Sequence, residues 1–304
     1  MTSEIKTVMI LGGRGNLGPY IISALSKAGF RVSILSRTSA NWNDTTFRGV
    51  PVLRSDYTFE SLVTAFTGQD AVVSTLSTAN AASQKTIIDA VAAAGVKRFL
   101  PSEFGSDTSL DGLEKMAPFL KGKQDVMEYV KKKEAEGLTW TALFTGPWID
   151  WMLLEGHGLL CLDVKSKTGT LVDSGDPQFT TTTVEKVGEA VAAVLLHPKE
   201  TENQYVQVGS FNLNQKQIVE ALERLSGTNF NLDTLSNAEL YARGMKHIDE
   251  GDWYTGYYEL ATTAVYSDSE VTFFPDKAAH WNKILGLFQE ESLDDVISRV
   301  LARL

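Results

Sequence analysis

One cysteine, four histidines and eight prolines are all that this 304-residue chain has of three informative residue types. The single thiol, Cys161, excludes an internal disulfide, and histidines at 157, 197, 247 and 280 show no metal-ligand spacing, so no metal is expected. No run of about 18 apolar residues offers itself to a bilayer, and the N-terminal apolar stretch is too short for a secretory signal. Basic residues are in deficit. The formal net charge of −10 disfavours adhesion to nucleic acid or to an anionic membrane surface. Internal repeats and low-complexity linkers are also absent. What remains, 43% apolar and 22% charged, reads as a globular cytoplasmic protein that can bury a full core and whose partner is a small molecule. Composition leaves the oligomeric state open.

The most informative stretch lies near the N-terminus. Val8 to Leu11 are all apolar, as expected of a strand buried on both faces of a parallel sheet. They run into Gly12-Gly13-Arg14-Gly15-Asn16-Leu17-Gly18. Leu17, Ile21, Leu25 and Ala28 then recur at helical spacing, Gly29 supplies a stop, and Val32 to Leu35 open a second apolar run. Strand, glycine turn, helix and strand within about 30 residues form the unit that presents a helix N-terminus to a pyrophosphate. Glycines are needed there because the turn is tight and a Cβ would hold phosphates off the backbone. Gly13-x-Gly15-x-x-Gly18 is the dinucleotide spacing.

The second strand discriminates between dinucleotides. NAD sites place an acidic residue about 20 residues on, where it accepts from the ribose 2′-hydroxyl; NADP sites place an arginine there. This strand ends Ile34-Leu35-Ser36-Arg37-Thr38, without an acid, and the glycine turn carries Arg14. Two cations beside hydroxyl side chains suit a phosphate dianion, so the expected cofactor is NADPH.

Strands and helices alternate onward. Strands are expected at Gly49–Leu53, Asp70–Leu76, Val96–Pro101 and Leu138–Phe144, with helices at Phe59–Phe66, Ala81–Ala94 and Phe119–Glu136. The pattern predicts an α/β fold with a doubly wound parallel sheet of the Rossmann type, its ligand at the carboxyl ends of the strands. Ser74, Thr75, Leu76 and Ser77, and the loop from Pro101 through Ser102 and Phe104 to Gly105, then fall beside the cofactor. Residues 1–150 form the expected dinucleotide domain, with a return segment near 180–208. Residues 151–304 form a smaller interleaved substrate lobe. In it, helices are expected at Asn214–Leu225 and at Ser236–Met245, the latter opened by a Ser236-x-x-Glu239 capping box, and a last helix at Leu293–Leu304. Trp148, Ile149, Trp151 and Met152 offer an aromatic wall for a substrate or a core between lobes. Asp150 and His157 are weaker polar candidates. Trp253, Tyr254, Tyr257 and Tyr258 serve either closure over the substrate or subunit contact.

The loop Arg98-Phe99-Leu100-Pro101-Ser102-Glu103-Phe104-Gly105, together with Gly12-x-x-Gly15-x-x-Gly18 and Arg37, resembles the isoflavone reductase-like and NmrA-like group of atypical short-chain reductases. That group includes phenylcoumaran benzylic ether and pinoresinol-lariciresinol reductases. The resemblance spans the chain and is strongest over the first 150 residues and at Phe179–Pro198. It implies NADPH chemistry, Phe104 near the nicotinamide, and Ser74 to Ser77 along the adenosine or pyrophosphate path. The group's catalytic lysine occurs as Lys-x-x-Val/Ile on the helix before the sixth strand, which Lys123-Gln124-Asp125-Val126 matches; Lys121 is the neighbouring alternative.

Helical geometry selects Lys123 independently. It precedes Val126 and Met127 by three and four positions and Val130 by seven, so it lies on the inward stripe, where a lysine beside a cofactor can serve as general acid or base. Tyr129-x-x-x-Lys133 matches the active-site pair of ordinary short-chain dehydrogenases. Tyr129 is, however, about 240° around the helix from Lys123 and is expected at the surface. The leading expectation is thus an NADPH-dependent reductase of a small aromatic or apolar metabolite. A dinucleotide-binding redox sensor acting through a protein partner is the rival from another class, and an epimerase or dehydratase using Tyr129 and Lys133 is the third.

Overall fold

A computed structural model describes residues 4–76, 84–113, 117–155, 159–288 and 290–304. Ser77, His157 and the expected helix start at Ala81 lie outside the described residues. In chain order, the first seven strands are β1 (Thr7–Leu11), β2 (Arg31–Arg37), β3 (Thr46–Phe47), β4 (Val50–Ser55), β5 (Ala71–Ser74), β6 (Arg98–Leu100) and β7 (Thr139–Phe144). Then come β8 (Leu162–Asp163), β9 (Thr168–Val172), β10 (Gln178–Thr181), β11 (Gln204–Gln207), β12 (Phe211–Asn214) and β13 (Asn231–Leu235). Eight of them build one sheet in the order β11-β7-β6-β5-β1-β2-β4-β3. Its pairings are parallel except for the short β3–β4 edge, a hairpin around Gly49 that the sequence pattern does not announce.

The uninterrupted apolar strands are sorted by their two-residue period. Val8, Ile10, Ile34, Val73, Leu100 and Leu143 face one core. Met9, Leu11, Leu35, Val72, Phe99 and Phe144 face the other. The first face is covered by α1 (Gly18–Lys27), whose Ile21, Ile22 and Leu25 are buried. The second is covered by α2 (Phe59–Phe66), α3 (Gln84–Ala93) and α4 (Lys121–Lys132), the last flanked by short 3-10 turns and stopped by Gly137. Beyond β7 come α5 (Ile149–Glu155) and α6 (Val184–Leu196). The latter packs beside α1 on the first face, so closely that a Cβ on Gly188 would lie 2.6 Å from the Tyr20 carbonyl oxygen. Buried Arg98 ties this side together, donating to the Thr139, Thr141 and Thr201 hydroxyls and to the Pro198 carbonyl.

A third core gathers Ile149, Leu162, Val172, Phe179, Leu222 and Ile297. Around it lie the small sheets β10-β12 and β13-β9-β8 with α7 (Gln215–Ser226), α8 (Asn237–Asp249) and α9 (Trp253–Val265), whereas α10 (Pro275–Leu285) packs on β11 and on the first two cores through Ala278, Trp281 and Leu285; α11 (Leu293–Leu301) closes the third core. The capping box at Ser236 and Glu239 forms in both directions. Leu304 lies past the last helix and is half exposed, so it takes no part in that helix's buried face of Val296, Ile297 and Val300.

Candidate active site

The carboxyl ends of β1, β2, β5 and β6 converge on the glycine turn. Gly12 adopts φ 78°, and a Cβ there would lie 2.6 Å from the Thr75 hydroxyl; the Gly15 amide closes the turn on the Gly12 carbonyl at 2.8 Å. Gly18 opens α1 directly against the turn, and a Cβ on it would stand 2.4 Å from the Gly13 carbonyl. Gly13, Leu17 and Gly18 are therefore buried parts of the scaffold, whereas Arg14, Gly15 and Asn16 are exposed. No side chain caps α1 at Leu17, unlike α2, α6, α7, α8, α9 and α11, each of which has a side-chain N-cap. An uncapped first turn with exposed backbone on a glycine cradle fits the pyrophosphate of a dinucleotide.

Arg37 is exposed at the end of β2, next to a residue that spacing did not single out. Arg54, on neighbouring β4, donates to the Arg37 carbonyl at 3.0 Å and to the Ser36 hydroxyl at 3.4 Å. Its guanidinium stands 4.2 Å from the Trp42 ring, which the Arg14 guanidinium faces at 4.0 Å. Arg14 also pairs with Asp44 at 2.6 Å. Two guanidinium groups, of Arg14 and Arg54, thus meet on Trp42, and the second also bonds the backbone of Arg37 at the end of β2. The register of β2 on β4, which sets Ser36 opposite Arg54, creates that arrangement, so no local motif announces it.

On the other side of the turn, Thr75 bonds the Leu11 carbonyl through both its amide and its hydroxyl. Ser74 is wholly buried within β5 and offers no surface to a ligand, which corrects its assignment to the cofactor path: it is a core position of the strand. Leu76 is half-buried, and its carbonyl accepts from Ser102 at 2.6 Å. Pro101 and Phe104 are buried; Phe104 has φ 28°, and its carbonyl accepts from the Trp148 indole at 3.0 Å.

Lys123 sits half-buried on the same helix face as buried Val126, Met127 and Val130, and its ammonium donates to the Glu103 carbonyl at 2.8 Å. Lys121 is instead exposed and paired with Asp125. The Glu103 side chain is buried and accepts from the Thr108 hydroxyl; burial pushes its carboxyl above the usual range, against the opposing charge of Lys123. Glu103 belongs to the Pro101–Gly105 loop expected beside the cofactor, but no spacing assigns its side chain a role of its own; its burial distinguishes it.

Several expected residues fall elsewhere. Ile149 is fully buried in the third core and cannot be a pocket wall; it follows the β7 exit into apolar packing. Met152 packs partly buried against that core, and Trp148 meets Trp151 edge-on. Asp150 is a structural acceptor for the Trp151 and Val184 amides, with its carboxyl raised by burial. Tyr129 is half-buried rather than at the surface: its hydroxyl donates to Asp89 on α3, which also pairs with Lys133 at 2.8 Å. A cleft of about 430 Å³ between the β8-β9-β13 sheet and α9 is lined in part by Tyr254 and Tyr258, but by none of the residues expected to hold the cofactor or carry the chemistry. Among the described residues no group of three His, Cys, Asp or Glu could hold a metal ion.

A sequence profile described as the NmrA-like family matches residues 4–260. The chain belongs to the NmrA-like family. This NmrA-like chain is 35% identical over 246 residues to the oxidoreductase aprR of Aspergillus flavus, covering 80% of the chain and 82% of that protein. A solved isoflavone reductase superimposes with a TM-score of 0.78 at 22% identity, over 98% of this chain and 99% of that one. A solved structure of AtPrR2 with NADP+ and (+)pinoresinol gives a TM-score of 0.77 at 21% identity, over 99% and 100% of the two chains. The shared fold is the Rossmann-type α/β architecture expected from the first strands.

Proposed function

We propose that this protein is an NADPH-dependent reductase of a small aromatic or otherwise apolar metabolite. The family, the oxidoreductase name of its fungal relative and the NADP+ held by a structural neighbour all support that class. The observation that carries the mechanism is the Lys123–Glu103 contact of 2.8 Å, which fixes the ammonium against the loop leading to Phe104. NADPH supplies the hydride when bound.

The chain's own groups do the rest. Gly12, Gly15 and Asn16 with the uncapped start of α1 hold the pyrophosphate, and Gly13, Leu17 and Gly18 keep that cradle in shape. Arg14 and Arg37 would meet the 2′-phosphate; Thr75, Leu76, Pro101 and Ser102 would border the cofactor. Phe104 would lie beside the nicotinamide, and Trp148 and Met152 would border the substrate. Lys123 carries a proton at Nζ that it gives to the substrate oxygen gaining charge, or accepts from a substrate hydroxyl in the reverse sense. Tyr129 and Lys133, engaged with Asp89 on the α3 side, take no part in this step.

Titration with NADPH and NADH, followed by NADPH oxidation against phenolic ethers, enones and aromatic ketones, tests the reading. Selective NADPH binding with turnover on a panel member supports it. Binding without turnover on any of them favours a dinucleotide sensor.

A further inference from the structure

Resting on the reading that Arg14 meets the 2′-phosphate, we propose that Asp44 is a specificity-determining residue that competes with that phosphate for Arg14 and so tempers the preference for NADPH over NADH. Arg14 is held on two sides. Its guanidinium face lies 4.0 Å from the Trp42 ring and 4.8 Å from the Phe47 ring, while an edge nitrogen pairs with Asp44 at 2.6 Å. Stacking uses the face of a guanidinium and leaves its in-plane N–H groups for an anion. Asp44 occupies one of those in-plane donors.

Trp42 is shared. Arg54 stands over it at 4.2 Å and also bonds its carbonyl, and the same guanidinium reaches the Arg37 carbonyl at 3.0 Å. Trp42 thereby spaces Arg14 and Arg54 at the end of β2, leaving a cationic patch whose one close carboxylate is Asp44 among the described residues. A 2′-phosphate brings about two negative charges and can bond a guanidinium through two oxygens, so it displaces a singly charged carboxylate; the exchange costs the Arg14–Asp44 pair and sets like charges near each other. A 2′-hydroxyl neither needs Arg14 nor repels Asp44, so NADH binding leaves the pair in place. The Asp44 side chain is 59% exposed, so its removal does not disturb a core.

The test is calorimetric titration of wild type, Asp44→Asn and Arg14→Ala with NADPH and with NADH at low salt and at about 0.5 M salt. In Asp44→Asn the NADPH dissociation constant should fall about two- to fivefold at low salt, the range set by an exposed ion pair. NADH should change by less than about twofold, and the NADPH gain should vanish at high salt. An unchanged NADPH constant, or equal shifts for both cofactors, overturns the role of Asp44. Arg14→Ala separates the two layers: selective NADPH loss there with no Asp44→Asn effect removes only the competitor, whereas no selective loss removes the 2′-phosphate reading and the competitor together.

Discussion

Replacing Gly18 by alanine isolates what the glycine turn contributes. Gly18 begins α1, where alanine is intrinsically the better helix former by up to about 1 kcal/mol. Against that, its Cβ would meet the carbon, oxygen and Cα of Gly13 at 2.4–2.5 Å. Backbone cannot rotate away as a side chain tip can, so α1 and the turn must separate by about 1 Å, a strain of the kind that costs about 1–3 kcal/mol in packed interiors. The net expectation is a loss of about 1–2 kcal/mol in stability by urea unfolding. The larger effect falls on the cofactor, because the separation moves the first amides of α1 away from the turn; NADPH affinity should fall at least about tenfold, or about 1.4 kcal/mol. Gly29→Ala is the control: it has φ 86° with open space around its Cβ position, so it should lose stability through backbone strain while NADPH binding stays unchanged. A Gly18→Ala protein with wild-type stability and NADPH affinity would refute the close-approach argument.

Lys123→Met should lower turnover about 100-fold or more while changing the NADPH dissociation constant less than about threefold, measured by stopped-flow oxidation and titration; equal turnover would sink the lysine's role. Arg37→Ala should weaken NADPH by about tenfold and NADH hardly at all, and a parallel loss would show that it does not read the 2′-phosphate. Tyr129→Phe should leave turnover within about twofold, since it removes only a hydroxyl held by Asp89. Asp70, at the opposite end of the sheet, is opposed by burial but held down to about 2 by Lys97 and by the Thr7 and Lys6 amides. Its folded-state value lies below the usual 3.8, so its contribution is fully present above about pH 4 and is lost as pH falls toward 2. Asp70→Asn should therefore cost about 1 kcal/mol near pH 7, allowing for solvent screening, and flatten the acid side of the stability profile. A parallel acid profile in the variant would contradict that assignment.

Local pattern makes the front of this protein legible. A buried apolar strand, a glycine turn and an amphipathic helix are specified within a few neighbouring residues, because each depends on backbone conformation and on short-range periodicity. The inward position of Lys123 follows from helical period alone, and its neighbours Val126, Met127 and Val130 are indeed buried. The capping box at Ser236 is readable for the same reason. What sequence could not supply were relations across the sheet. Arg54 reaches Arg37 only because β4 lies beside β2, and Asp44 reaches Arg14 across thirty residues of chain. Ile149 and Met152 look alike as apolar neighbours, yet the chain path after β7 drives one into the third core and leaves the other at its margin. Tyr129 reads as a surface residue until α3 brings Asp89 to it. Helical period says which way a side chain points along its own element, but what it meets there is fixed by the packing of elements distant in sequence, and that is decided only when the whole chain has closed on its cores.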